Sequence, residues 1–423
     1  MIRKIFATIR TRVLIAVGTL LIVTLNARFL GATNVGTISL IILSITIVQT
    51  VNNFVGGGAL VYLIPRTELF NLFIPSYLWA IITSVIVVII INLLGLIPAG
   101  YFLHVIFLSL LLSLSSINCM ILLGKERIKA YNNINLLQLL LLLGFLLLFL
   151  FIGKRRDVMI YLYSLYISNI FVFLSGLFLV FPYLKLQRLK GILPVVKEIF
   201  RYGTVMNIGN IFQLFNYRLS YYFMETFLGR TSVGIYSVGA QLAEGIWIIS
   251  RSISIVQYAR ISNTDDRNYA IRLTLNLIKV ASVITLLSLI ILLIIPNSFF
   301  GLLFGKEFAG IKIVILTLAV GIFMLSISII LSPFFSGIGK PVHNCIGSGI
   351  GLIFTIVLGL LFIPRIGIIG AGLVASISYS VATLYQFIVF FRYSKLKPTD
   401  FLLKKEELLM IRNEFRLIFM TKS

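Results

Sequence analysis

Charge is scarce in this chain, and acid scarcer than base: 12% of its 423 residues are charged, 13 Asp and Glu against 36 Lys and Arg. A soluble domain carries about twice that share, so a molecule wetted over its whole surface is excluded. Cysteine and histidine are nearly absent, two of each. Cys119 and Cys345 fall inside apolar runs, and His104 and His343 stand alone near run ends, so neither a disulfide framework nor a metal site is implied. Also missing are a glycine-rich phosphate loop followed by Lys and Ser or Thr, paired carboxylates, a nucleophile arrangement, and a loop long enough to hold a catalytic domain. These gaps argue against an enzyme and against direct drive by ATP, and no cofactor is called for beyond a coupling cation, H+ or Na+.

What is present is apolar: 59% hydrophobic residues and a mean hydropathy of +1.08. The runs are continuous over roughly twenty residues, the length that crosses a bilayer as a helix, and lack the short alternating segments of a β-barrel. The sequence therefore predicts an all-α polytopic membrane protein. Spans are expected at about 13–30, 35–60, 74–97, 101–123, 132–152, 158–184, 204–228, 233–256, 273–296, 311–335, 342–363 and 366–391, twelve in all. The first run has no small-residue cleavage site behind it and reads as an uncleaved span.

One stretch occurs twice. Residues 29–39 (FLGATNVGTIS) and 227–237 (FLGRTSVGIYS) agree at seven of eleven positions, 198 residues apart. Each copy joins one apolar run to the next, as the tight glycine turn of a helical hairpin. The turn joins helices 1 and 2 and again helices 7 and 8, so the repeat unit is six helices. Six is even, and the halves enter the membrane with the same polarity, as two parallel repeats about an axis along the membrane normal. A weaker echo is Gly124-Lys125 before helix 5 and Gly339-Lys340 before helix 11. The expected division is a six-helix half at 1–184, a basic linker at 185–203, a second six-helix half at 204–391 and a basic tail at 392–423.

A net charge of +23 would suggest nucleic acid for a soluble protein. In a membrane protein it first reflects the excess of Lys and Arg on the cytoplasmic side. Most basic residues fall in segments that share a side with both termini, and the outer-side Lys154, Arg155 and Arg156 are the dissenting cluster. Both termini are therefore expected in the cytoplasm, with no nucleic-acid partner. Arg3, Lys4, Arg10 and Arg12, the linker residues Lys185, Arg188, Lys190, Lys197 and Arg201, and an amphipathic tail over 400–419 are expected to lie on anionic lipid.

Ionisable residues inside spans cost about 2.5 to 3.5 kcal/mol each on insertion scales and so mark candidate sites. On helix 7, Asn207, Asn210, Tyr217, Arg218, Tyr221 and Glu225 share one stripe. Helix 8 carries Ser237, Gln241, Glu244 and Arg251 on one face. The repeat maps Ser39, Thr46 and Asn53 of helix 2 onto Ser237, Glu244 and Arg251, with Gln49 and Asn52 on the same face. Arg218 and Glu244 lie at similar depth from the turn, so a structural ion pair competes with a binding role. Arg251 has no evident partner near it in sequence. Lys279 is expected to snorkel at a helix end, and Arg28 and Arg66 to anchor at interfaces or line a cavity mouth.

Four stretches carry a family resemblance: Ala27 to Ser39; Arg201-Tyr202-Gly203 running on through Asn216-Tyr217-Arg218-Leu219; Phe227 to Glu244; and Ile363-Pro364-Arg365-Ile366-Gly367-Ile368-Ile369-Gly370-Ala371. Gly337, Gly339 and Lys340 fit as well. The chain resembles the oligosaccharide flippases of the polysaccharide biosynthesis family, the Wzx-type O-antigen transporters of the multidrug, oligosaccharide-lipid and polysaccharide exporter superfamily. The resemblance implies a MATE-like, V-shaped fold of two lobes. It implies movement of undecaprenyl diphosphate-linked oligosaccharide, for O-antigen, capsule or another surface polysaccharide, from the cytoplasmic to the periplasmic leaflet of a bacterial inner membrane. The path would be a cationic cavity lined by helices 1, 2, 7 and 8, with a polymerase and chain-length machinery as partners. Many relatives have Asp after the Arg-Leu pair of helix 7, whereas Ser220 stands here, so a carboxylate role at that position does not carry over.

On this reading Arg218 and Arg251, with Arg28 and Arg66, attract the diphosphate. Asn53, Gln49, Asn207, Asn210, Tyr217, Tyr221 and Gln241 hydrate the sugar, and Glu244 or Glu225 couples transport to a cation. The alternatives are a multidrug-type cation antiporter, disfavoured because cations dominate the spans, and a membrane polysaccharide polymerase or glycosyltransferase, disfavoured for want of a large outer loop. Reporter fusions after Lys190 and after Lys397 test the topology. Both should report cytoplasm, and an external signal from either refutes the even-numbered repeat.

Overall fold

The structure, a computed structural model, describes residues 2–153, 156–184, 192–264, 266–397 and 400. Lys154, Arg155, Lys185, Arg188, Lys190, the side chains of Arg3, Lys4, Arg10 and Arg12, and the expected tail helix beyond Asp400 lie outside what it describes.

Two helical segments, Ile2–Gly56 with 55 residues and Val342–Ser394 with 53, are far longer than one crossing needs. Each is broken at a glycine with positive φ: Gly31 (φ 79°, ψ 167°) and Gly367 (φ 62°, ψ −138°). Dividing them there gives α1 (2–30) and α2 (32–56), and α11 (342–366) and α12 (368–394). Between them run α3 (Leu69–Leu93), α4 (Phe102–Gly124), α5 (Ile128–Phe151), α6 (Val158–Val180), α7 (Ile192–Leu228), α8 (Arg230–Gly245), α9 (Arg267–Ile294) and α10 (Ile311–Gly337). The described residues thus form the twelve long helices that the apolar runs predict. The helix α7 begins at Ile192, inside the segment expected as a linker.

Gly229 repeats the Gly31 geometry closely (φ 79°, ψ 172°). The chain reverses at these glycines. Arg218 and Glu244, 26 residues apart, meet at 2.7 Å, and Gln386 meets Asn344, 42 residues away, at 3.1 Å. An L side chain at such a φ is strained, which is why both turns use glycine. The helix α8 is not straight: after Gly245 the chain bends by 46° into a lower arm, Trp247–Ser262.

The helices α1 to α6 pack mainly on one another, as do α7 to α12, and the two sets meet chiefly where α1 and α2 face α7 and α8. The usual burial rule is inverted, because lipid is the outer solvent. Small polar groups fill interior positions, such as Ser109, Ser113 and Asn118 of α4 and Ser164, Ser168 and Asn169 of α6, while Ile82, Ile86 and Ile90 of α3 are exposed. Lys279 departs from expectation: its side chain is 6% exposed, so it is buried within α9 packing rather than snorkelling to an interface.

One close approach between the sets is along α2 and α8, and it pairs residues with their own repeat equivalents. The hydroxyls of Thr33 and Thr231 are 2.8 Å apart, and the Ser39 hydroxyl donates to that of Ser237 at 2.9 Å. Midway, a Cβ on Gly36 would collide with the Arg230 carbonyl, and one on Gly234 with the Ala32 carbonyl. Residues 33, 36 and 39 meet 231, 234 and 237 in the same order, so α2 and α8 run parallel, with the repeat's pseudo-two-fold axis between them. This contact closes the end of the molecule that bears the turns. It is reinforced by the loop between α9 and α10, whose Glu307 carboxylate accepts the Ala32 backbone N–H at 2.7 Å and whose Phe300, Phe304 and Phe308 pack with Ala27, Ala32 and Val35. At the opposite end, α7 closes against α2: a Cβ on Gly203 would strike the Phe54 carbonyl, and the Asn207 amide donates to the Asn53 carbonyl at 2.6 Å.

Paired cysteines test the self-pairing. In a background with Cys119 and Cys345 replaced by serine, Thr33→Cys with Thr231→Cys should cross-link under mild oxidation, and Thr33→Cys with Ser237→Cys should not. Equal cross-linking of both pairs would refute the parallel register.

Candidate functional site

Two polar cavities stand out among the described residues. The first, about 570 Å³, is walled by α1, α2, α5, α6, α7 and α8. Its polar groups are Thr19, Asn26, Ser39, Thr46, Asn135, Gln138, Tyr161, Tyr217, Arg218, Tyr221 and Gln241. Asn26 is 6% exposed and its side-chain carbonyl has no partner, so the wall presents a buried acceptor with nothing to accept from.

Arg218 is the only charged residue lining this cavity among the described residues. Its guanidinium makes a two-pronged contact with Glu244, 2.7 Å on each arm, and donates to the Tyr221 hydroxyl at 3.1 Å. The Arg and Glu side chains keep 24% and 16% of their surfaces, so the pair is largely withdrawn from water. Planar fork and carboxylate match in this geometry, which is among the strongest that a side-chain pair makes. The charge of Arg218 is therefore matched by Glu244, and the wall is close to neutral where a cationic cavity was expected.

Other expected site residues fall in three places. Tyr217, Tyr221 and Gln241 line the first cavity with Arg218. Asn207 and Asn210 line the second, which is about 760 Å³ and is framed by α7, the lower arm of α8, α10, α11 and α12. Asn53 joins them through its carbonyl. Gln49, Arg28, Arg66 and Arg251 line neither. Arg28 donates to the Leu302 carbonyl at 3.0 Å, and Arg66 lies over the Tyr62 ring at 3.9 Å. Glu225 sits beside the turn, 3.0 Å from Arg230.

Arg251 is displaced from the Ser237–Gln241–Glu244 face because α8 bends before it, so a straight-helix projection does not hold across Gly245. It is exposed, with its guanidinium 5.7 Å from the Trp247 ring centre. That ring is buried and packs 5.7 Å from Tyr217, a wall of the first cavity, while Ser254, one turn below Arg251, lines the second. Arg251 itself lines neither cavity, and its relation to them runs through these chain neighbours.

Sequence reasoning missed Asn26, Asn135 and Gln138 in the first cavity, and Ser328, Ser332, Ser336, Asn344 and Gln386 in the second. Each is an uncharged polar residue in or at the end of an apolar run. The usable signal was amide side chains within spans, since these too must find partners in lipid.

Comparison with solved structures places this architecture. The inward closed conformation of the lipid II flippase MurJ superposes with a TM-score of 0.76 at 16% identity, covering 99% of this chain and 93% of that one. An inward-facing multidrug resistance MATE family transporter of the MOP superfamily gives 0.70 at 14%, covering 92% and 98%. The fold is that of the MATE-type transporters. In sequence, the chain is similar to the capsular polysaccharide biosynthesis protein CapF of Staphylococcus aureus, 26% identical over 172 residues, 40% of this chain and 43% of CapF. It is also similar to the probable low-salt glycan biosynthesis flippase Agl15 of Haloferax volcanii, 20% identical over 239 residues, 56% of this chain and 50% of Agl15. The matched stretches thus span about half the length of those relatives. No family model matches. The MATE-like fold and the long apolar helices agree with a multi-pass membrane protein.

The ion pair can be tested directly. Glu244→Ala should strand the Arg218 guanidinium and lower folded stability by roughly 3 kcal/mol, the low end for a largely buried pair. Arg218→Glu combined with Glu244→Arg should recover most of that loss in detergent melts. Recovery of transport as well would remove Arg218 from direct substrate contact.

Proposed function

We propose that this protein is a flippase that moves a polyprenyl diphosphate-linked oligosaccharide from the cytoplasmic to the outer leaflet of a bacterial cell membrane. The observation that carries the reading is the composition of the two cavities: amides and hydroxyls, with one neutralised ion pair beside the first, inside a MATE-type fold that also carries the exposed Arg251. Similarity to CapF and Agl15, both described as glycan biosynthesis proteins, points the same way. The lipid tail stays in the bilayer, the diphosphate meets Arg251, and the sugars enter the polar space.

A cation antiporter fits less well. A cationic drug needs an unpaired carboxylate, and the one nearest the first cavity, Glu244, is held on both oxygens by Arg218. Transport would proceed by rocking of two lobes, 1–184 and 204–391, with the α2–α8 contact and the α2–α7 contact breaking in turn. Of the two candidate coupling carboxylates, Glu225 lies at the turn beside Arg230 and Glu244 lies beside the first cavity, where it would take up H+ or Na+ only on releasing Arg218. Both termini would be cytoplasmic, the basic segments would rest on anionic lipid, and a polysaccharide polymerase with its chain-length machinery would use the product.

Arg251 is the residue to change. Arg251→Ala should leave the protein inserted and folded but abolish export of the lipid-linked sugar, measured as surface polysaccharide in cells that depend on this chain. Arg251→Lys should retain part of the activity, since a point charge still attracts phosphate without the two-pronged geometry. Wild-type export by Arg251→Ala at normal expression refutes the assignment.

A further inference from the structure

The second cavity differs from the first in one respect that bears on what it holds. Among the described residues that line it there is no Asp, Glu, Lys or Arg. Its polar wall is made of amides and hydroxyls from five helices, and these are organised rather than scattered. Gln386 is the hub: its carbonyl oxygen accepts from the Ser328 hydroxyl at 2.6 Å, and its amide donates to the Asn344 carbonyl at 3.1 Å. Asn344 in turn donates to the Ser332 carbonyl at 3.0 Å and to the Ser336 hydroxyl at 3.1 Å. Such a network fixes rotamers, so this part of the cavity wall is held in one arrangement.

We infer that this cavity is a binding site for the uncharged sugar rings of the substrate, and that it favours neutral over acidic oligosaccharides. The inference rests on the flippase reading. Asn, Gln and Ser each both donate and accept, as sugar hydroxyls do, so the two surfaces can satisfy one another in many poses. A uronic acid would bring a full charge to a wall with no cation to meet it, and desolvation then works against it. The volume of about 760 Å³ lies within the range of pockets that enclose medium-sized ligands, roughly 300 to 1,000 Å³. The position fits as well. Gln213 of this cavity donates to the hydroxyl of Tyr217 in the first at 2.7 Å, so the two spaces are neighbours across one hydrogen bond. Ser254 lies one turn from Arg251, which places sugar next to the diphosphate site.

Cys345 lines the cavity and is unpaired, so its alkylation reports occupancy. The protein, with Cys119→Ser as its one change, is placed in nanodiscs and Cys345 is labelled with N-ethylmaleimide. The probes are undecaprenyl diphosphate alone, the same lipid bearing a neutral trisaccharide, and the same lipid bearing a trisaccharide that ends in glucuronic acid. Titration calorimetry follows binding of each lipid separately. The neutral glycolipid should slow labelling at least about fivefold, the bare lipid should leave the rate unchanged, and the acidic glycolipid should protect less. Ser332→Trp, which fills the cavity, should remove the extra affinity of the neutral glycolipid and leave that of the bare lipid. Equal protection by the bare lipid, equal or stronger protection by the acidic one, or no protection by a glycolipid that binds overturns the inference. If none of the lipids binds, the flippase reading fails and free maltotriose at millimolar concentration judges the cavity: slowed labelling supports a sugar site, and an unchanged rate refutes it.

Discussion

Backbone contact between α2 and α8, at Gly36 and Gly234, is the constraint on which the rest of the molecule hangs. Helices in lipid gain little from the hydrophobic effect when they meet, so close van der Waals approach and short polar contacts must hold them. Glycine on both sides allows that approach, and a Thr pair and a Ser pair flank it one turn away on each side. Past Ser39 and Ser237 the two helices become walls of the first cavity through Ile42, Thr46 and Gln241. The closed turn end and the polar space beneath it are two results of one crossing.

The fold was largely legible in the sequence because lipid makes the rules simple. Apolar runs gave the helix count, and the twin glycine turns gave the repeat and its parallel sense. Arg218 and Glu244 could be matched by depth because each lies a countable distance from Gly229. Less could be read of the cavities. The face assigned to Arg251 assumed a straight helix, and the bend after Gly245 moved it. Asn344 and Gln386 carry no charge and sit 42 residues apart, and only the reversal at Gly367 brings them together. Local pattern holds no record of such meetings.

Electrostatics divides the molecule by depth. The strong basic excess of the chain resides largely in loops, linker and tail, whereas the interior is nearly neutral. The described residues contain two ion pairs, Arg218 with Glu244 and Arg230 with Glu225, one beside the first cavity and one at the turn. On the flippase reading, an anion would meet the exposed guanidinium of Arg251, and the described cavity linings carry no charge other than the paired Arg218. That arrangement suits a ligand with one compact charged group and a long neutral remainder.

The self-pairing along the axis also bears on how the chain came to be. If the halves descend from a single six-helix subunit, that subunit worked as a dimer, and Thr33, Gly36 and Ser39 then faced copies of themselves. A residue that must face its own image cannot be an ion, for it would meet like charge, and cannot be bulky, for its volume would count twice. Threonine, glycine and serine satisfy both conditions, and all three are still the same in the two halves. Away from the axis, fusion of the two copies would lift the restriction: Thr46 stands opposite Glu244 in the repeat, and Asn53 opposite Arg251. Asymmetric charge, and with it a cavity having a front and a back, became available only once the two subunits were one chain.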